Sequence, residues 1–63
     1  MSKSEAIARV ASHARSRSRL LTKAQNRELI ASPVESWYKF PFIQPTSDEH
    51  PALIEAFEVL IRS

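Results

Sequence analysis

Two histidines, His13 and His50, are the side chains in this 63-residue sequence best suited to proton transfer near neutral pH. They stand thirty-seven positions apart, and neither has a nucleophile and an acid at a spacing that would make a catalytic set. The chain has no cysteine, which removes thiolate metal sites and disulfides, and the histidines have no ligand set around them. It also has no glycine, so no glycine loop can bring backbone amides around a phosphate. These residues predict no catalytic, cofactor-binding or metal-ligating side chain, and no small-molecule substrate. His50 reads as a surface residue. The expectation is a protein that is not an enzyme.

The remaining chemistry is charge. Residues 1–31 carry seven cations against Glu5 and Glu28, a surplus of five. Residues 32–63 carry Lys39 and Arg62 against five acids, a deficit of three. A basic half joined to an acidic half is suited to a polyanion or an acidic partner. Arg9, Arg15, Arg17, Arg19 and Lys23 are the candidate contacts, either to phosphates through counterion release or to an acidic protein surface. The plainer reading of such a run is a solvated helix face.

The third resource is aromatic. The stretch SPVESWYKFPF, Ser32 to Phe42, holds the only Trp, the only Tyr and two of the three Phe. Trp37 and Phe40 are expected in the core, because each ring brings roughly 150–250 Å² of surface and a chain this short has few other large apolar groups. Tyr38, Lys39 and Phe42 cannot all face inward from the same short run. They are the predicted protein interface, an edge held extended by Pro41 and Pro45.

The elements that must position these groups read as helices. Primed hairpin turns want glycine, and the one strand-like run, Trp37 to Ile43, is interrupted by Pro41. Four Ser/Thr-x-x-Glu/Gln capping boxes mark helix starts: Ser2 with Glu5, Thr22 with Gln25, Ser32 with Glu35, and Thr46 with Glu49. The predicted helices run over about 4–20, 23–31, 33–39 and 48–62, with residues 40–45 extended between the last two. In the first, Ile7, Val10, Ala11 and Ala14, with Leu21 beyond, form the apolar stripe. In the last, Leu53, Ile54, Phe57, Leu60 and Ile61 form the centre of a stripe that Ala52, Ala56 and Val59 widen past the arc of about 100° that an ordinary surface helix needs. The surplus places Ala56 and Val59 in an interface with a larger protein or with a second copy in a homodimer.

The expected architecture is therefore all-α: one domain over residues 1–63, a compact bundle of three to four short helices, with a basic half (1–31), an acidic amphipathic half (32–63) and an extended, Pro-bounded aromatic linker. No apolar run reaches the ~20 residues of a membrane span and no signal-peptide core is seen at the N-terminus, so a cytoplasmic protein is expected. The leading functional reading is a small regulatory or accessory protein that binds a larger protein, as an inhibitor, adaptor or antitoxin-like partner, and a phage or plasmid origin suits such a chain. The alternative is a small helix-turn-helix-like DNA-binding regulator built on residues 21–39, whose reading helix would offer Glu35 and aromatics where base-reading side chains are wanted. A third is a structural subunit of a larger assembly.

Overall fold

Helix α1, Lys3–Ser16, starts where its cap dictates: Ser2 Oγ accepts the Glu5 backbone N–H at 3.1 Å. Helix α2, Lys23–Ala31, opens on a complete capping box, with the Gln25 N–H donating to Thr22 Oγ1 at 3.1 Å and the Thr22 N–H donating to Gln25 Oε1 at 2.9 Å. Helix α3, Pro51–Arg62, is capped by His50, whose Nδ1 accepts the Ala52 N–H at 3.1 Å, and carries Pro51 where a missing N–H does no harm. Short 3-10 helices at Ser18–Leu20, Val34–Lys39 and Pro41–Ile43 fill the connections. This is a computed structural model that describes all residues from Met1 to Ser63. Three-quarters of the chain is helical and no strand is present, the small all-α bundle that the sequence predicts.

Four boundaries differ from expectation. Helix α1 does not reach Leu20. Ser16 Oγ donates to the His13 carbonyl at 2.8 Å, the Arg17 N–H donates to the same carbonyl at 3.2 Å, and the chain leaves the helix at Arg17. Ser32 is the C-cap of α2 rather than the start of a new helix, so the box with Glu35 does not form, and residues 34–39 are 3-10 rather than α. The linker is not extended throughout: Phe40 and Gln44 are extended, but Pro41–Ile43 between them form a 3-10 helix. The last helix starts at Pro51, not Asp48. A residue before proline is pushed out of the helical region, and His50 is accordingly extended. Thr46 and Glu49 form a turn through their backbones instead, with the Glu49 N–H donating to Thr46 O at 3.1 Å.

α1 packs against α3, and the 3-10 helix Val34–Lys39 lies against both. The core is Ala6, Val10 and Ala14 of α1, Leu29 of α2, Ile43, and Ala56, Phe57 and Leu60 of α3. Small residues on α1 let the larger ones of α3 approach closely. The Cα radius of gyration is 11.0 Å, near the ~10.6 Å that chain length alone implies.

Two side chains replace the glycines the chain lacks. Asn26 Nδ2 donates to the carbonyls of Ser18 at 3.0 Å and Thr22 at 3.1 Å, fixing the turn between α1 and α2. Gln44 Nε2 donates to the carbonyls of Tyr38 at 2.7 Å and Phe40 at 3.0 Å, fixing the aromatic run.

Candidate functional site

The buried stripe of α1 has a cleft on either side. The first has a volume of about 260 Å³ and is lined by Arg9, Ser12, His13 and Ser16 of α1 and by His50, Ala52 and Leu53 at the start of α3. The α1 residues recur at i, i+3, i+4 and i+7, one face of the helix. The fold thus brings together two histidines that the sequence separates. They are unequal. His50 is exposed. His13 is 9% exposed, sets its ring edge against Phe57 at 6.1 Å between centroids, and leaves Nε2 without a hydrogen-bond partner. Burial holds its imidazole below the ordinary value of 6.5, and the Arg17 guanidinium pushes the same way, against Glu49 and the backbone of Ile43. No group of three or more His, Asp or Glu side chains is placed to hold a metal ion.

The second cleft, about 240 Å³, is a groove between α1, α2 and the aromatic 3-10 helix, lined by Ala14, Arg15, Ser18, Asn26, Leu29, Ile30 and Trp37. Trp37 is its floor. Its Nε1–H donates to the carbonyls of Leu29 at 2.8 Å and Ser32 at 3.1 Å, adding to the Ser32 N–H bond that the Leu29 carbonyl already accepts and tying the ring to the C-terminal end of α2. The Arg15 guanidinium lies 5.8 Å from the indole centroid, within cation–π range. Its wall includes Ile30, which is 83% exposed, and the turn between α1 and α2 carries Leu20, which is 78% exposed. Both exceed any other large apolar side chain of the chain in exposure.

The predicted basic contacts do not form one face. Arg9 lies at the polar cleft and pairs with Glu5 at 3.3 Å. Arg17 is taken by Glu49 at 3.1 Å, a pair that ties the end of α1 to the turn before α3. Arg15, Arg19 and Lys23 have no acidic partner, nor does Arg27; of these four Arg15 lines the groove, and the others stand on α2 and on the turn that leads into it. On α2, Lys23, Arg27 and Ile30 follow at i, i+4 and i+7, while Glu28 lies on the opposite side of the helix.

The predicted protein interface is largely taken up by the chain itself. Ala56 is 0% exposed and belongs to the core, so it offers no surface to a second chain. The small residue is needed where α3 crosses α1. Val59, Tyr38 and Phe42 are half-buried and pack on that core, and Phe40 stacks on Phe42 at 5.1 Å. Lys39 is exposed, with Nζ 5.7 Å from the Tyr38 ring. Of the wide α3 stripe only Ile61 stays exposed. Sequence reasoning passed over Leu20 and Ile30 as contact residues. The available signal was Ile30, which falls beside Lys23 and Arg27 and off the Leu29 face.

No helix is long and apolar enough to cross a membrane. No family model, curated protein or solved structure matches the chain.

Proposed function

We propose that this chain is a non-enzymatic accessory or regulatory protein that acts by binding a larger protein, and that the groove floored by Trp37 is where it binds. The observation that carries the reading is Ile30, more than three-quarters exposed on the wall of a groove that Leu29 and Trp37 also line. Apolar surface left in water gains free energy when a partner covers it, at roughly 25 cal/mol per Å². Trp37 is anchored by two hydrogen bonds, so its ring is held in place before any partner arrives and little ordering entropy is lost on docking.

The test compares capture by the wild type and by Ile30→Gln from the host's own lysate, with Arg9→Gln as control. A specific protein retained by the wild type and by Arg9→Gln, and lost with Ile30→Gln, supports the reading. Equal retention by all three removes the groove from it.

The second reading, nucleic-acid binding, is favoured by the four unpartnered cations on α1, α2 and the turn between them. Its helix-turn-helix form would need residues 34–39 as a projecting reading helix, and that segment is a six-residue 3-10 helix packed against α1 and α3. A mobility-shift titration separates the readings. Binding of duplex DNA tighter than micromolar at physiological salt, with affinity falling steeply as salt rises, would favour nucleic acid.

A further inference from the structure

We infer that the occupant of the Trp37 groove is an acidic protein segment carrying one apolar anchor side chain. This rests on reading the groove as a docking surface, and it names the chemistry of what docks. The argument is charge complementarity around an apolar centre. Arg15 lines the groove, Lys23 and Arg27 share a stripe of α2 with its wall residue Ile30, and Arg19 stands in the turn that joins the two helices. None of the four has an acidic partner, whereas of the five other side-chain cations Arg9, Arg17 and Arg62 are paired within the chain and Lys3 and Lys39 are not. Carboxylates on the incoming segment would meet cations on the α1 side through Arg15, at the connecting turn through Arg19, and on the α2 side through Lys23 and Arg27. Such an arrangement speeds encounter and fixes register.

The centre selects against a bare polyanion. At about 240 Å³ the groove accommodates a single large side chain rather than an extended ligand, and its walls include Ala14, Leu29, Ile30 and Trp37. A phosphate backbone would use the cations and leave Ile30 in water. An acidic segment with a Leu or Phe anchor uses both. Arg15 already lies over the indole, and Trp37 directs its N–H inward to α2, so the ring is poorly placed to stack on a nucleobase.

Trp37 is the only tryptophan, so its fluorescence reports the groove directly. The probe is a synthetic Trp-free peptide with one leucine among glutamates, compared with the same peptide carrying glutamine or lysine in place of glutamate. The expected result is a saturable change in Trp37 emission with the acidic peptide. Its affinity should exceed that of the glutamine version by about tenfold, and fall by about tenfold in the double variant Arg19→Gln with Arg27→Gln and again at high salt. Neither arginine contacts the indole, so the reporter is unchanged by those substitutions.

Equal affinity for the glutamine or lysine peptide would overturn the acidic assignment and leave the groove as a docking surface. The same holds if no peptide perturbs Trp37 while capture still distinguishes wild type from Ile30→Gln. A tighter response to an oligonucleotide would overturn it in favour of nucleic acid. Self-association of the wild type that Ile30→Gln abolishes would overturn it in favour of a second copy of this chain.

Discussion

The cleft beside Arg9 and the groove beside Arg15 are nearly equal in volume, about 260 and 240 Å³, and α1 forms a wall of each. They are built from opposite materials. Five of the seven residues around the first are Arg, Ser or His, and water can serve the exposed ones. Around the second, the apolar atoms of Leu29, Ile30 and Trp37 have no such substitute. The floors differ in the same sense. Trp37 has its one polar group satisfied twice over, whereas His13 is buried with a nitrogen unpartnered. A depression in a small protein is therefore a poor guide to function by its size. The state of its floor and rim says whether it gains from an occupant, and here only the groove combines a fixed floor with an uncovered rim.

The comparison breaks most visibly at Trp37. Trp37→Ala removes the groove floor, the indole packing and the hydrogen bonds that close α2. It should destabilise the fold by about 3 kcal/mol, toward the low end for a tryptophan truncation because the ring is half-exposed. Trp37→Phe keeps most of the packing and loses only the N–H, so about 1 kcal/mol is expected. Urea unfolding of the three chains checks this. If Trp37→Phe costs as much as Trp37→Ala, the hydrogen bonds carry the groove and the packing does not.

The floor of the polar cleft predicts a pH effect that the groove lacks. Burial, aided by Arg17, keeps His13 below 6.5 in the folded chain, so the unfolded chain takes up its proton at higher pH. Stability from this residue is fully present above about 6.5 and is lost as pH falls below that value. The denaturation midpoint, followed from about pH 8 to about pH 4, should begin to drop near 6.5 in the wild type. In His13→Leu, which removes the titrating group and fills the same space, the drop should start lower. Acids that protonate further down affect both chains alike, so the difference isolates the imidazole. Parallel profiles would mean that His13 remains hydrated when folded.

The same contrast explains what was readable in the sequence. The all-α class and the span of α2 were legible because they are set locally, by capping side chains and by the absence of glycine. The start of α3 was readable too, since the proline rule that extends Phe40 applies equally to His50. The acids at Asp48 and Glu49 suggested a first turn and outweighed it. The end of α1 had no such mark: it stops at Arg17 without a glycine or asparagine, through the Ser16 hydroxyl. Neither cleft was legible. His13 meets His50, and Ala14 meets Trp37, only once α1 has two neighbours, and no local rule states which side each neighbour takes. Ala56 was assigned to a partner because helical spacing shows how wide an apolar stripe is and not how closely the facing helix comes.

A smaller effect tests the link between the polar cleft and the turn before α3. Arg17 and Glu49 are each 29% exposed in their side chains and lie 3.1 Å apart. Such a half-exposed pair should show a coupling of about 0.2–1 kcal/mol in a double-mutant cycle of Arg17→Gln and Glu49→Gln, shrinking as salt rises. Both groups also act on His13 in opposite directions. The onset near 6.5 belongs to the unfolded chain and should stay, so Glu49→Gln should extend the drop to lower pH and deepen it, while Arg17→Gln should end it sooner and make it shallower.

The smallest expected effect is at Ile30, and it is the most discriminating. Replacing a large apolar residue usually costs the transfer energy of what it buries plus the cavity left behind. Ile30 is 83% exposed, so it contributes almost none of the first and can leave none of the second. Isoleucine is also a slightly poorer helix former than glutamine, so the substitution adds a small gain within α2. Ile30→Gln should thus change folding stability by no more than about 0.5 kcal/mol in either direction, while Leu29→Ala next to it, 4% exposed, should cost about 2–5 kcal/mol. Two neighbours in one helix would then separate completely, one holding the fold and one held out to solvent. If Ile30→Gln destabilises the chain by more than 1 kcal/mol, as measured against urea, the residue packs in solution against groups it does not touch here. The groove would then be closed in the free protein, and its rim would no longer argue for a partner.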